Sequence, residues 1–147
     1  MISGLWRGRW IKAGRAGQAA GLRPTSDRVR TSLFDRLSPI LPGARVLDLF
    51  AGTGALGIEA LSRGAAEAVF VEKAPGVLRI LDSNLKTLEA RNAAVVGDDV
   101  FKVLKSLART VPFDVILADP PYEEGIAGRL VARLDEEEIL RTAGLFV

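Results

Sequence analysis

Asp119-Pro120-Pro121-Tyr122 is a tetrad suited to holding a flat, weakly nucleophilic nitrogen. The exocyclic amino group of a nucleobase attacks poorly because its lone pair is delocalised into the ring. Two adjacent acceptors, the Asp119 carboxylate and the Pro120 carbonyl, can take both amino protons, favour a pyramidal nitrogen and aim its lone pair at an electrophilic methyl group. Pro120 and Pro121 stiffen the turn before reaction, and Tyr122 offers a ring face on which the base can stack. Direct transfer of this kind requires alignment and neither a metal nor a covalent adduct. That suits a chain of 147 residues with no cysteine and no histidine, in which zinc-thiolate sites, cysteine nucleophiles and Ser-His-Asp hydrolysis are excluded.

A second constellation lies upstream. Gly52-Thr53-Gly54-Ala55-Leu56-Gly57 satisfies G-x-G-x-x-G after an apolar run that ends near Phe50, and Glu72 closes the next apolar run. In such turns glycines let the backbone approach a nucleotide, and the acid accepts from the ribose hydroxyls. The spacing alone does not choose between a dinucleotide and a mononucleoside. Asp48 discriminates, because an acid four residues before the first glycine repels a pyrophosphate and attracts a cation. S-adenosylmethionine carries a sulfonium, an ammonium and no phosphate. The expected cofactor contacts are therefore Asp48, Ala51, Gly52, Thr53, Gly54, Glu72 and, for the adenine amino group, Asp99 or its neighbour Asp98. One of that last pair could equally serve as a helix N-cap.

These groups meet only if the right elements carry them. Apolar runs at 45–50, 68–72, 93–96, 113–118 and one opening at 145 read as strands. Helical patterns at 55–63, 75–90, 100–109 and 126–140 alternate with them. Strands that are apolar at consecutive positions, separated by helices, predict a doubly wound α/β domain with a parallel sheet covered on both faces. Ligands of such sheets sit at the carboxyl ends of the strands, where both constellations fall. An earlier helix, capped by Thr25 or Ser26, carries Val29, Leu33 and Leu37 and is stopped by Pro39 and Pro42. Arg28 and Arg30 lie off that stripe and are expected to face outward.

With 48% hydrophobic and 26% charged residues the chain has the composition of one globular domain. No apolar run nears the ~18 residues of a membrane span, and no secretory leader is visible, so a cytoplasmic protein without a membrane anchor is expected. The formal charge of +2 hides an asymmetry. Residues 1–36 carry eight Lys/Arg against Asp27 and Asp35, a balance of +6, and the remainder twelve against sixteen, a balance of −4. A basic arm beside an acidic body suggests a polyanion-binding surface. In the arm, Trp6, Arg7, Arg9 and Trp10 interleave guanidinium groups with rings, as single-stranded nucleic-acid surfaces do. If the piece is extended, both tryptophans share one face. The division expected is 1–22, a basic RNA-binding hairpin and loop, and 23–147, the catalytic domain.

Taken together, these residues resemble the amino-group methyltransferases of nucleic acids. More narrowly, Ile2-Ser3-Gly4, Arg7-Gly8-Arg9, the run from Arg23 to Arg30 and the run from Leu56 to Ala65 are similar to the RsmD family. The resemblance covers nearly the whole chain. It implies a Rossmann-like class I S-adenosylmethionine-dependent fold, with methylation of a guanine N2 in 16S ribosomal RNA, within the small subunit or an assembly intermediate. It also implies RNA contacts from the arm and from Arg23, Thr25, Arg28 and Arg30. Thr31 stands where the family usually has glutamate, and the family's sheet continues past Val147. Three rivals remain: a DNA amino-group methyltransferase, for which a recognition domain has little room; a nicotinamide oxidoreductase, disfavoured by Asp48; and a non-catalytic RNA-binding assembly factor.

Overall fold

The computed structural model describes residues 4–12, 27–110, 112–139 and 145–146. Five parallel strands, β1 (Arg45–Leu49), β2 (Glu67–Val71), β3 (Ala93–Val96), β4 (Val115–Ala118) and β5 (Leu145–Phe146), form one sheet in the order β3-β2-β1-β4-β5. Among the described residues five helices accompany them: α1 (Asp27–Leu37), α2 (Ala55–Ser62), α3 (Pro75–Thr87), α4 (Val100–Leu107) and α5 (Ile126–Glu136). The strand order reverses at β1, which pairs with β2 on one side and β4 on the other, bringing Leu49 opposite both Val71 and Ala118. That reversal is the switch point at which open α/β sheets bind ligands.

Consecutive apolar residues are needed because each strand is covered twice. Val46, Ala68, Phe70, Val115 and Leu117 join a core with Leu33, Phe34 and Leu37 of α1, Ile58 and Leu61 of α2, and Leu81 and Leu85 of α3. The alternate residues Leu47, Leu49, Val69, Val71, Ile116 and Ala118 pack on the other face with Val103 and Leu104 of α4 and Leu130 and Leu134 of α5. The doubly wound reading is thus observed, with element ends moved by a few residues. β1 stops one residue early because Phe50 turns to φ 55. The third and last helices end before 90 and 140, where Glu89 (φ 53) and Glu138 (φ 49) reverse the chain.

Two expectations change. Residues 4–9 form successive turns and 10–12 an irregular stretch, with no strand among them; Arg7 N–H donates to Gly4 O at 3.2 Å and Arg9 N–H to Trp6 O at 3.0 Å. The two tryptophans do not share a face: Trp6 is 8% exposed within the first core, while Trp10 is 92% exposed. The cause is docking onto the end of α2, where Leu5 N–H donates to Ser62 O at 2.7 Å and Trp6 N–H to Ser62 Oγ at 3.0 Å. The second correction concerns α1. Its apolar stripe is Leu33, Phe34 and Leu37, and the position one turn earlier on that stripe is Arg30, not Val29, which is half exposed. Arg30 therefore lies largely buried and ion-paired to Asp27, while Arg28 faces solvent as expected. Arg23, Thr25 and the cap at Thr25 or Ser26 lie outside the described residues, as does the boundary at 22–23.

Candidate functional site

The glycine turn joins β1 to α2 and is anchored to the ends of the neighbouring strands. Ala51 N–H donates to Val71 O at 2.9 Å and Gly54 N–H to Ala51 O at 2.8 Å. Its three glycines do different work. Gly52 has φ 58, and a Cβ added there would meet nothing within 4 Å, so the backbone faces open space that a ligand can enter. Gly54 has φ 87 and lies against Leu81 of α3, where a Cβ would come within 2.5 Å of Cδ1. Gly57 lets α2 close on the sheet, since its Cβ would sit 2.3 Å from Phe70 Cε1 and 2.9 Å from Asp48 Oδ2. Of the sequence-expected cofactor residues, Gly52, itself buried, thus leaves open space where a side chain would project, and Gly54 shapes the turn by packing.

Three carboxylates converge on this switch point. Asp48, on β1, is buried and its Oδ2 accepts the Gly57 N–H at 2.8 Å. Burial pushes its carboxyl from 3.8 up to about 8; the Gly57 hydrogen bond opposes the rise, and the charges of Asp119 and Glu72 add to it. Glu72 bridges two loops, accepting Gly52 N–H at 3.0 Å on Oε2 and Ala74 N–H at 2.9 Å on Oε1. Each carboxylate oxygen keeps a further lone pair for a hydroxyl donor. Asp119 follows β4 directly, across from the start of the glycine turn in the β1–β4 register. Such a concentration of acidic groups, with Asp48 able to ionise when a cation arrives, favours a cationic ligand and disfavours a diphosphate.

Asp99 and Asp98 divide their roles. Asp99 is the N-cap of α4, its Oδ1 accepting Phe101 N–H at 2.9 Å, and its Oδ2 lies 3.6 Å from Lys73 Nζ. Asp98 is exposed and accepts the Asp99 N–H at 2.7 Å. The N-cap alternative therefore holds for Asp99, with one oxygen directed away from the cap.

The tetrad leaves the sheet beside these acids. Asp119 and Pro120 are half-buried, Pro121 is exposed, and Tyr122 is fully exposed, its ring available for stacking. Glu123 N–H donates to Pro121 O at 2.7 Å, closing a tight turn before Gly125 (φ 82) opens α5. The arm's Arg7, Arg9 and Trp10 are exposed, whereas Trp6 is not available for stacking. Thr31 spends its hydroxyl on Asp27 O at 2.7 Å. Among the described residues, no group of three or more His, Cys, Asp or Glu could hold a metal ion, and no helix is long and apolar enough to cross a membrane.

Two features escaped the sequence reading. Asn84 is a buried amide on the otherwise apolar face of α3 set by Val77, Leu81 and Leu85, a pattern that signals a partner waiting in the fold. Phe50 meets Phe101 edge to face at 6.4 Å, and the Arg129 guanidinium lies 4.6 Å over Phe101, walling the crevice between β1, α4 and α5.

Comparison with known proteins agrees with the fold. Residues 1–147 match the family model described as conserved hypothetical protein 95. The chain is 41% identical over 136 residues to ribosomal RNA small subunit methyltransferase D of Escherichia coli K12, covering 92% of this chain and 66% of that protein. It is 38% identical over 147 residues to the protein of the same name in Haemophilus influenzae, covering 99% of this chain and 75% of that one. The chain thus spans about two thirds of the length of the Escherichia coli relative. Among solved structures, Escherichia coli yhhF superposes with a TM-score of 0.86 at 40% identity, over 99% of this chain and 77% of that one. The S-adenosylhomocysteine-bound Podospora anserina methyltransferase PaMTH1 shares the fold, with a TM-score of 0.69 at 18% identity, over 83% of this chain and 52% of that one.

Proposed function

Because the chain belongs to the RsmD family, matched by the model described as conserved hypothetical protein 95, we propose that it methylates the N2 amino group of a guanine in 16S ribosomal RNA, using S-adenosylmethionine. The observation that carries this reading is the meeting of Asp48, Glu72 and Asp119 at one switch point, beside open backbone at Gly52. The site fits the cofactor: acids for its cations and for the ribose, and room at the first glycine.

When bound, the cofactor supplies a methyl group on a positively charged sulfur. Asp48 holds negative charge toward the cationic end, Glu72 accepts from the ribose, and the Asp99 oxygen that faces Lys73 also accepts from the adenine amino group. The Asp119 carboxylate and the Pro120 carbonyl accept the two guanine amino protons, pyramidalising the nitrogen and directing its lone pair at the methyl carbon. The Asp119 carboxylate would take the surplus proton that the guanine nitrogen sheds on methylation. Tyr122 stacks on the flipped base. Arg7, Arg9 and Trp10 bind the RNA backbone and bases, with Arg23, Thr25 and Arg28 expected to extend that contact. Arg30, held by Asp27, would have to exchange that partner for phosphate. The substrate is the RNA within the small subunit or an assembly intermediate, which places the protein in the cytoplasm.

The test is transfer of labelled methyl from S-adenosylmethionine to unmodified small ribosomal subunits by a full-length chain, followed by digestion to nucleosides. Label is expected in N2-methylguanosine and is lost in Asp119→Ala, which still binds cofactor. Label in another base refutes the guanine assignment. No label from a chain that binds both cofactor and RNA refutes the catalytic reading in favour of an RNA-binding assembly factor.

A further inference from the structure

Asn84 ties two distant pieces of the molecule to one helix. It is 2% exposed, and its carboxamide is engaged at both ends. Oδ1 accepts the Lys12 N–H at 2.7 Å, and Nδ2 donates to Lys12 O at 3.1 Å and to Thr53 O at 3.0 Å. Lys12 belongs to the basic arm that carries Arg7, Arg9 and Trp10, and Thr53 is the middle residue of the glycine turn. Lys12 Nζ adds a contact to Ser83 Oγ at 3.2 Å. One side chain therefore reads the backbone of the arm and the backbone of the cofactor turn together.

The Thr53 carbonyl is a sensitive point to hold. It belongs to the peptide leading into Gly54, whose missing side chain makes rotation of that peptide cheap. Pinning the oxygen selects one orientation, the one in which Gly54 N–H closes on Ala51 O at 2.8 Å. A shift of the arm changes the fit of Lys12 on Asn84, and the same carboxamide holds Thr53 O.

We infer that Asn84 is a positioning residue that couples the arm to the glycine turn, so that RNA held by the arm and cofactor held by the turn strengthen each other's binding. The inference rests on the functional reading above and adds a linkage between its two ligands. Such coupling is reciprocal. A merely structural amide, satisfied because it is buried, would contribute to stability and leave the two affinities independent.

The experiment measures the dissociation constant of S-adenosylhomocysteine, the non-reacting product, alone and with saturating in-vitro transcript of small-subunit ribosomal RNA, using the full chain. The wild type is expected to bind it about fivefold or more tightly with RNA present. Lys12→Pro removes the N–H given to Asn84 and leaves the Thr53 contact intact. It is expected to bind S-adenosylhomocysteine alone within about twofold of wild type and to lose the RNA effect, its ratio falling to about one. Asn84→Asp, which sets carboxylate oxygens against both carbonyls, is expected to lose the ratio and to weaken binding alone about tenfold. Thermal melting of each variant confirms folding. A wild-type ratio of one, or an unchanged ratio in a folded Lys12→Pro, overturns the coupling. Failure of the wild type to bind S-adenosylhomocysteine or the RNA at all overturns the functional reading itself.

Discussion

Cofactor binding is expected to expel a proton from Asp48. With its carboxyl pushed up to about 8 by burial, chiefly, and by Asp119 and Glu72, roughly nine in ten ligand-free molecules are protonated there at pH 7. A sulfonium and an ammonium lodged in the crevice favour the charged form. Binding S-adenosylmethionine then releases about 0.9 proton from this group at pH 7 and about 0.1 at pH 9. Its affinity rises about tenfold between pH 6 and pH 7 and levels above pH 8. Titration calorimetry at pH 7 in phosphate and in Tris measures the release as the slope of observed enthalpy against buffer ionisation enthalpy. The cofactor's own amino group titrates at about 7.7 to 8.0, and Asp48→Asn, which lacks the carboxyl, subtracts that contribution. The reasoning is refuted if wild type and Asp48→Asn show the same slope.

The ligand-free fold carries the same signature. The folded value of Asp48 lies above the ordinary 3.8, so stability is intact below about pH 4, is lost progressively as pH rises, and stops falling above about pH 8. At about 1.4 kcal/mol per pH unit, that window is on the order of 5 kcal/mol. Asp48→Asn keeps an acceptor for Gly57 and removes the buried charge, so without ligand it is expected to melt above wild type at pH 8.

Three further outcomes follow from the site. Gly57→Ala forces a methyl into Phe70 and the Asp48 carboxylate and is expected to cost about 1–3 kcal/mol in urea denaturation; a change under about 0.5 kcal/mol would show that α2 can withdraw from the sheet. Glu72→Gln leaves one acceptor for two backbone N–H groups and is expected to weaken S-adenosylmethionine binding about tenfold or more in equilibrium dialysis, whereas unchanged affinity would remove Glu72 from the cofactor site. Replacing Arg7 and Arg9 together by alanine is expected to lower the slope of log affinity for RNA against log salt by about one to two; an unaltered slope would move the RNA surface away from the arm.

The sheet and the two motifs at its carboxyl edge were legible in the residues because both are local. Asp-Pro-Pro-Tyr and the glycine turn are short runs whose backbone constraints travel with them, and an apolar run flanked by helical periodicity is a buried parallel strand wherever the chain goes. Zero cysteine and histidine narrowed the chemistry further, and the charge split pointed to the arm. Facts that depend on what lies opposite were not legible. Trp6 and Trp10 are the same residue type four positions apart, yet Ser62, far along the chain, takes the backbone at Leu5 and Trp6 and turns one ring into the core. Arg30 falls on the inner stripe of α1 because helix phase, not residue type, decides facing. Asp48 reads as an ordinary acid in sequence, and only its enclosure between α2 and the sheet raises its carboxyl to about 8. Asn84 is one amide among many until folding brings Lys12 and Thr53 to it. Sequence determines the local conformations and which groups are present, whereas desolvation and pairing are properties of neighbours, and neighbours exist only in the tertiary structure.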